Sequence, residues 1–287
     1  MNPLGIHALV WVDGWSEAEC ARALALTKET GFDLIEIPLL DPGTVDAVMT
    51  RRLLEEHGLG ASCSLGLGFD TDVSSADPAT AARGEHLLEA ALDVTAAIGA
   101  SFLGGVVYSA MGKYGEAPTE RGRRHCVEAL KRVAERAEAA GITLGVEPVN
   151  RYESNLVNTA AQALELIEEV GAANLVVHLD SYHMNIEEAD PAEAIRLCGG
   201  RLGYVHLGES HRGYLGTGTV DFPGFFRALA EVGYAGPLTF ESFSTAVISA
   251  RFASALAIWR EPWQDGRDLA LNARQFAEAQ LREATKA

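Results

Sequence analysis

Four segments of this chain end an apolar run on a group that can bind a cation or move a proton. Leu144-Gly145-Val146 runs into Glu147, Val176-Val177-His178-Leu179 into Asp180, Tyr204-Val205 into His206, and Leu238-Thr239-Phe240 into Glu241. Ionisable groups at the end of core-like strands are costly unless paired, hydrogen-bonded or metal-bound. A lone Glu or Asp there reads as a helix N-cap or a surface charge, and a lone His as a satisfied core histidine. Four in succession are hard to explain that way. Three carboxylates and one imidazole converging on a point repel one another if bare, and a divalent cation resolves the repulsion. Oxygen donors with one imidazole suit Mn²⁺, Mg²⁺ or Co²⁺ better than a thiolate zinc site.

For these groups to meet, their strands must end on one rim. Short apolar runs alternate with amphipathic stretches along the whole chain. The runs lie at 4–12, "GFDLIEIPL", "ASCSLGL", "SFLGGVVY", "ITLGVEPV", "NLVVHLD", "LGYVHLG" and "PLTFESF". Helical patterns follow at 16–30, 44–57, 78–98, 119–140, 159–170, 191–197, 223–232 and 267–283. Ser16 with Glu19 reads as a capping box. Gly31, Gly58, Gly99, Gly141, Gly171 and Gly233 each stand where a left-handed residue would end a helix. Eight strand–helix units with near-continuous apolar strands predict an α/β fold, a closed (β/α)8 TIM barrel, as one domain over 1–287. An open doubly wound sheet is the alternative, weakened because no G-x-G-x-x-G follows the first strand. Residues 244–262 are additional material after the eighth strand. They could cap the barrel, pack as an extra helix or supply a partner surface.

Active sites of closed barrels sit at the C-terminal ends of the strands. Side chains alternate in and out along a strand, so each of the four groups can face the axis. Glu153, His183 and Arg212 lie in loops above the same rim and could meet hydroxyl groups, or could be ordinary solvated charges and a helix cap. His178 shares the inward face with Asp180 one layer deeper, where a hydrogen-bonding role behind the ligands is expected. "GYLGTGTVDFPGFF" could cradle a phosphate at a helix N-terminus, but Asp221 before Phe222-Pro223 reads as an N-cap with Pro in the first turn.

A net charge of −17 argues against nucleic acid, whose binding rests on Lys and Arg at phosphates, and against anionic membranes. Cys20, Cys63, Cys126 and Cys198 form no ligand spacing and imply no disulfides. There is no basic leader pattern and no apolar stretch of spanning length, so a soluble cytoplasmic protein is expected.

"VEPVNRYE", "HLDSYHMN", "VHLGESHRG" with "GTGTVDF", and "TFESF" together resemble the ketose 3-epimerases of the D-tagatose 3-epimerase and D-allulose (D-psicose) 3-epimerase type. These belong to the xylose-isomerase-like barrel group, and the resemblance runs from "GIHALVW" to "TFESF". It implies that Glu147, Asp180, His206 and Glu241 bind one divalent metal, Mn²⁺ first and Co²⁺ or Mg²⁺ as alternatives. Glu147 and Glu241 would be the acid/base pair. Glu153, His183 and Arg212 would contact the O1 to O3 end of a small neutral sugar. Trp15 and Phe243 would wall its far end, where His7 replaces an aromatic residue of some relatives. A homodimer or homotetramer is implied as well. A hydroxypyruvate isomerase or inosose dehydratase on the same barrel shares the metal set. A barrel-type nuclease would need more ligands and a basic rim, and a non-catalytic sugar-binding barrel would not need matched glutamates.

Overall fold

In the computed structural model, which describes residues 2–286, eight strands close into a barrel in chain order. They are β1 Leu4–His7, β2 Leu34–Pro38, β3 Gly60–Leu67, β4 Phe102–Ala110, β5 Thr143–Val146, β6 Leu175–Asp180, β7 Leu202–Leu207 and β8 Leu238–Phe240. All pairings are parallel, and β8 returns to β1 through Leu4 to Ile6 against Leu238 to Phe240. Among the described residues ten α-helices accompany them: α1 Glu17–Glu29, α2 Ala47–His57, α3 Pro78–Ile98, α4 Glu120–Ala139, α5 Ala160–Val170, α6 Ser181–Glu187, α7 Pro191–Cys198, α8 Phe222–Glu231, α9 Ala250–Ala255 and α10 Gly266–Ala284. This is the expected (β/α)8 TIM barrel.

The strands read as apolar because both faces are covered, by the axis on one side and the helices on the other. Ile6, Ile35, Cys63, Leu103, Leu144, Val177, Val205 and Leu238 are all fully buried. The six glycines expected to end helices all take positive φ, between 61° at Gly58 and 84° at Gly31 and Gly99. Ser16 and Glu19 form the expected capping box. No helix among the described residues is long and apolar enough to cross a membrane.

Three elements differ from the sequence expectation. The first strand stops at His7 rather than continuing to 12, because the His7 side chain accepts the Leu9 N–H and starts a 3-10 turn, Ala8–Val10. The second helix begins at Ala47, not at 44, because Asp46 caps it by accepting the Met49 N–H. α6 was not anticipated. Asp180 closes β6 and caps this helix in the same step, accepting the Tyr182 N–H at 2.8 Å.

Residues after β8 pack against the segment that follows β1, beyond the C-terminal ends of the strands. Leu9, Phe243, Ile248 and Ala253 make a small apolar cluster of their own, with Phe252, Leu256 and Ile258 against it. The Ser249 N–H donates to Asp13 and ties the start of α9 to the loop after β1.

Candidate active site

β6 and β7 are in register with Asp180 opposite His206. Glu147 and Glu241 each stand one residue past their strands, held by backbone bonds to Gly105 and Leu207. The four groups therefore leave adjacent strands at one height and point to one place. His206 Nδ1 lies 3.4 Å from Glu147 Oε1 and 3.5 Å from Glu241 Oε1. Asp180, His206 and Glu241 offer three ligand atoms within 4.8 Å of one another, and so do Glu147, Asp180 and His183. All four side chains are buried.

The donor set fits a divalent cation. His206 Nε2 pairs with Glu36 Oε2 at 2.8 Å, which places the ring proton there. That leaves Nδ1 aimed into the carboxylates, buried and, among the described residues, without a hydrogen-bond partner. An imidazole oriented by a carboxylate behind it, with its free nitrogen among three carboxylates, is what a metal ligand requires. Arg212 already meets part of the charge: its Nη1 donates to Asp180 Oδ2 at 3.0 Å and to Glu241 Oε2 at 2.6 Å.

Burial and the neighbouring carboxylates Glu241 and Asp180 push the Glu147 carboxyl up to about 8, against the pull of His206. Burial also lifts Asp180, to about 6, with Arg212 opposing. Glu241 moves the other way. Burial alone would raise it, but His206 and Arg212 together hold it below its ordinary range. Two glutamates facing one imidazole are thus driven in opposite directions, the arrangement that separates an acid from a base. Glu36 is the missed member of the set. Burial opposes its ionisation, but His206 and His7 keep its carboxylate well below the usual range. Its signal was a charged residue inside the apolar run "LIEIP". Glu36→Gln should weaken Mn²⁺ affinity by about 10- to 100-fold, measured by titration of the chelated protein, with the fold intact.

The loop residues expected to meet substrate gather above this cluster. His183, in the first turn of α6, accepts from the Asn150 backbone N–H at 3.2 Å and side-chain amide at 2.9 Å through Nδ1. Its Nε2–H therefore faces the site, 3.7 Å from Asp180 Oδ2 and 4.0 Å from Glu153 Oε2. Asn150 also donates to Glu153 at 2.7 Å, so one amide, unrecognised in the sequence, orients both residues. The Arg212 guanidinium lies 3.8 Å over the Tyr182 ring and 5.1 Å from that of Phe243. His7 packs edge-on against Phe243 at 5.5 Å and reaches Glu36 at 3.7 Å. Trp15 is anchored to α2, its indole N–H donating to Thr50 at 3.0 Å.

Two expectations change. Among the described residues His178 makes no hydrogen bond through either ring nitrogen. It is wedged edge-on against His206 at 4.2 Å, Tyr204 at 4.9 Å and Phe102 at 5.9 Å, and burial keeps it neutral. The glycine-rich loop 213–220 is not a phosphate cradle. Two of its N–H groups are taken by Glu209, a fully buried carboxylate that accepts from Gly216 at 2.8 Å and Val220 at 3.3 Å, and also from Ser210 before the loop at 2.8 Å. Asp221 caps α8 as expected, with Pro in its first turn.

Residues 24–271 match the family model described as xylose isomerase-like TIM barrel. The chain is 50% identical over 279 residues to the ketose 3-epimerase of Arthrobacter globiformis, covering 97% of this chain and 96% of that one. It is 48% identical over 272 residues to the L-ribulose 3-epimerase of a Methylomonas strain, covering 95% of each. The crystal structure of the Methylomonas D-allulose 3-epimerase in complex with D-allulose superposes with a TM-score of 0.95 at 47% identity, covering 97% of both chains. A likeness of this depth over the whole barrel, with the strand-end cluster assembled, places the chain in the ketose 3-epimerase family of xylose isomerase-like TIM barrels.

Proposed function

We propose that the chain epimerises free ketoses at C3, with one divalent cation, by removing the C3 proton on one face and returning it on the other. The observation that carries this reading is the pair of glutamates, Glu147 and Glu241. They reach the same imidazole nitrogen from separate strand ends, at 3.4 and 3.5 Å, with opposite shifts in proton affinity. A single base cannot easily serve both faces of one carbon, whereas two carboxylates can, each base in one direction and acid in the other.

Glu147, Asp180, His206 and Glu241 would hold the cation, Mn²⁺ as the first choice and Co²⁺ or Mg²⁺ as alternatives. When bound it would supply positive charge at the O2 and O3 end of the substrate, and so would stabilise the charge developing on O2. Arg212 and His183 add donors at those oxygens, and Glu153 accepts from a hydroxyl at the same end. Trp15, Phe243 and His7 form the wall toward C4 to C6, where His7 bears on specificity. The names of the relatives favour a ketose epimerase over an isomerase or dehydratase on the same barrel.

The chain acts as one barrel domain, with 244–262 as its cover, and assembles as a homodimer or homotetramer. Trp259, 74% exposed in that cover, is a surface for the contact. Four buried cysteines, unpaired among the described residues, suit the reducing cytoplasm. The acidic balance suits a small neutral substrate rather than nucleic acid. The test is product analysis with D-fructose, D-tagatose and L-ribulose, on chelated protein with and without added Mn²⁺. C3 epimers formed only with the metal are expected. Turnover of hydroxypyruvate in their place would contradict the reading.

A further inference from the structure

Arg212 adopts a left-handed backbone, with φ 58°, although it is not glycine. Such a residue returns to negative φ unless its surroundings hold it. Here both of its flanking peptides are held. Its N–H donates to the Glu209 carbonyl at 2.8 Å. Its own carbonyl accepts from the Ser242 hydroxyl at 2.5 Å. That hydroxyl in turn accepts the Trp263 indole N–H at 2.6 Å, and the Trp263 carbonyl accepts from the Ser244 hydroxyl at 2.6 Å. Ser242, Ser244 and Trp263 are all buried.

We infer that Ser242, backed by Trp263 from the chain that follows β8, is a positioning residue that sets where the Arg212 guanidinium stands over the substrate. Three successive residues grip one arginine. Glu241 takes the guanidinium at 2.6 Å, Ser242 the carbonyl, and Phe243 presents its ring at 5.1 Å. The chain after β8 thereby gains a task in the reaction: it closes the hydrogen-bonded path from Ser244 through Trp263 and Ser242 to Arg212. Without the Ser242 hydroxyl the 212–213 peptide is free to turn, and the guanidinium moves with it. A displacement near 1 Å at a reacting group costs up to about 100-fold in rate.

This inference rests on the substrate role given to Arg212 above, and the two are separable by a double-mutant cycle. Ser242→Ala and Trp263→Phe are made alone and in the Arg212→Ala background, and kcat and KM are measured with Mn²⁺ present. Ser242→Ala alone should lower kcat/KM on the order of 10- to 100-fold, mostly in kcat. In the Arg212→Ala background the same change should cost less than about twofold, since nothing remains to position. Trp263→Phe keeps the buried ring and should show a smaller loss that also vanishes in that background. It carries the test if Ser242→Ala fails to fold. Equal losses in both backgrounds, or folded single variants with unchanged kcat/KM, overturn the clamp while leaving the role of Arg212 intact. Unchanged kcat/KM in Arg212→Ala itself overturns both.

Discussion

Glu147→Gln and Glu241→Gln are each expected to lower turnover on the order of 10³-fold or more. The reason is geometric. Glu147 and Glu241 come from separate strand ends, and in the proposed reaction each serves its own face of C3, so neither can take over the other's. Loss of one should therefore block interconversion in both directions. It should also leave a one-sided residue of activity: each variant exchanges the C3 hydrogen of one epimer with solvent, and the two variants should exchange opposite epimers. Both residues belong to the cation cluster, so Mn²⁺ affinity must be measured beside turnover. A variant that still binds Mn²⁺ yet fails to epimerise has lost the proton transfer itself. Retained turnover in both variants would count against the assignment.

Metal removal is expected to abolish turnover, and the affinity on add-back should strengthen steeply with pH. In the metal-free protein Asp180 holds its proton to about pH 6 and Glu147 to about pH 8, chiefly because both are buried. His206 is also raised, since burial is outweighed by Glu36 and Glu241. A cation must displace these protons, so binding tightens as pH rises from 6 to 8 and releases protons to the buffer. Stability follows the same linkage. A carboxyl raised from 4.5 to about 8 in the folded chain favours folding most below pH 4.5, and that contribution is lost as pH rises through 8. The metal-free protein should therefore weaken over this window, and Mn²⁺ should raise its melting temperature more at pH 8 than at pH 6. Calorimetry at both values, with and without Mn²⁺, measures the difference. An equal shift at both would mean that these groups do not bind the cation.

The cluster was legible because a strand end fixes position. Once eight strand–helix units imply a closed barrel, Glu147, Asp180, His206 and Glu241 must share a rim. The groups that support them were less legible. Glu36 could have been found, since an ionisable residue inside an apolar strand needs a buried partner, but nothing local says that the partner is His206, 170 positions away. Ser242 and Trp263 carry no local signature, because their bonds depend on how the chain after β8 packs back against Arg212 and its loop. "HLDSYHMN" hid a helix because Asp180 ends the strand and caps α6 at once, leaving no turn residues between them. His178 was read by its polarity, whereas its aromatic edge is what the barrel interior uses.

The account stands most directly on one measurement: the hydrogen at C3 after epimerisation in deuterated water with Mn²⁺ bound, read by NMR. Proton removal by one glutamate and return by the other predicts one solvent deuterium at C3 of the product. Product that keeps its original hydrogen at C3 throughout would mean direct transfer, and would leave the paired carboxylates without their proposed work.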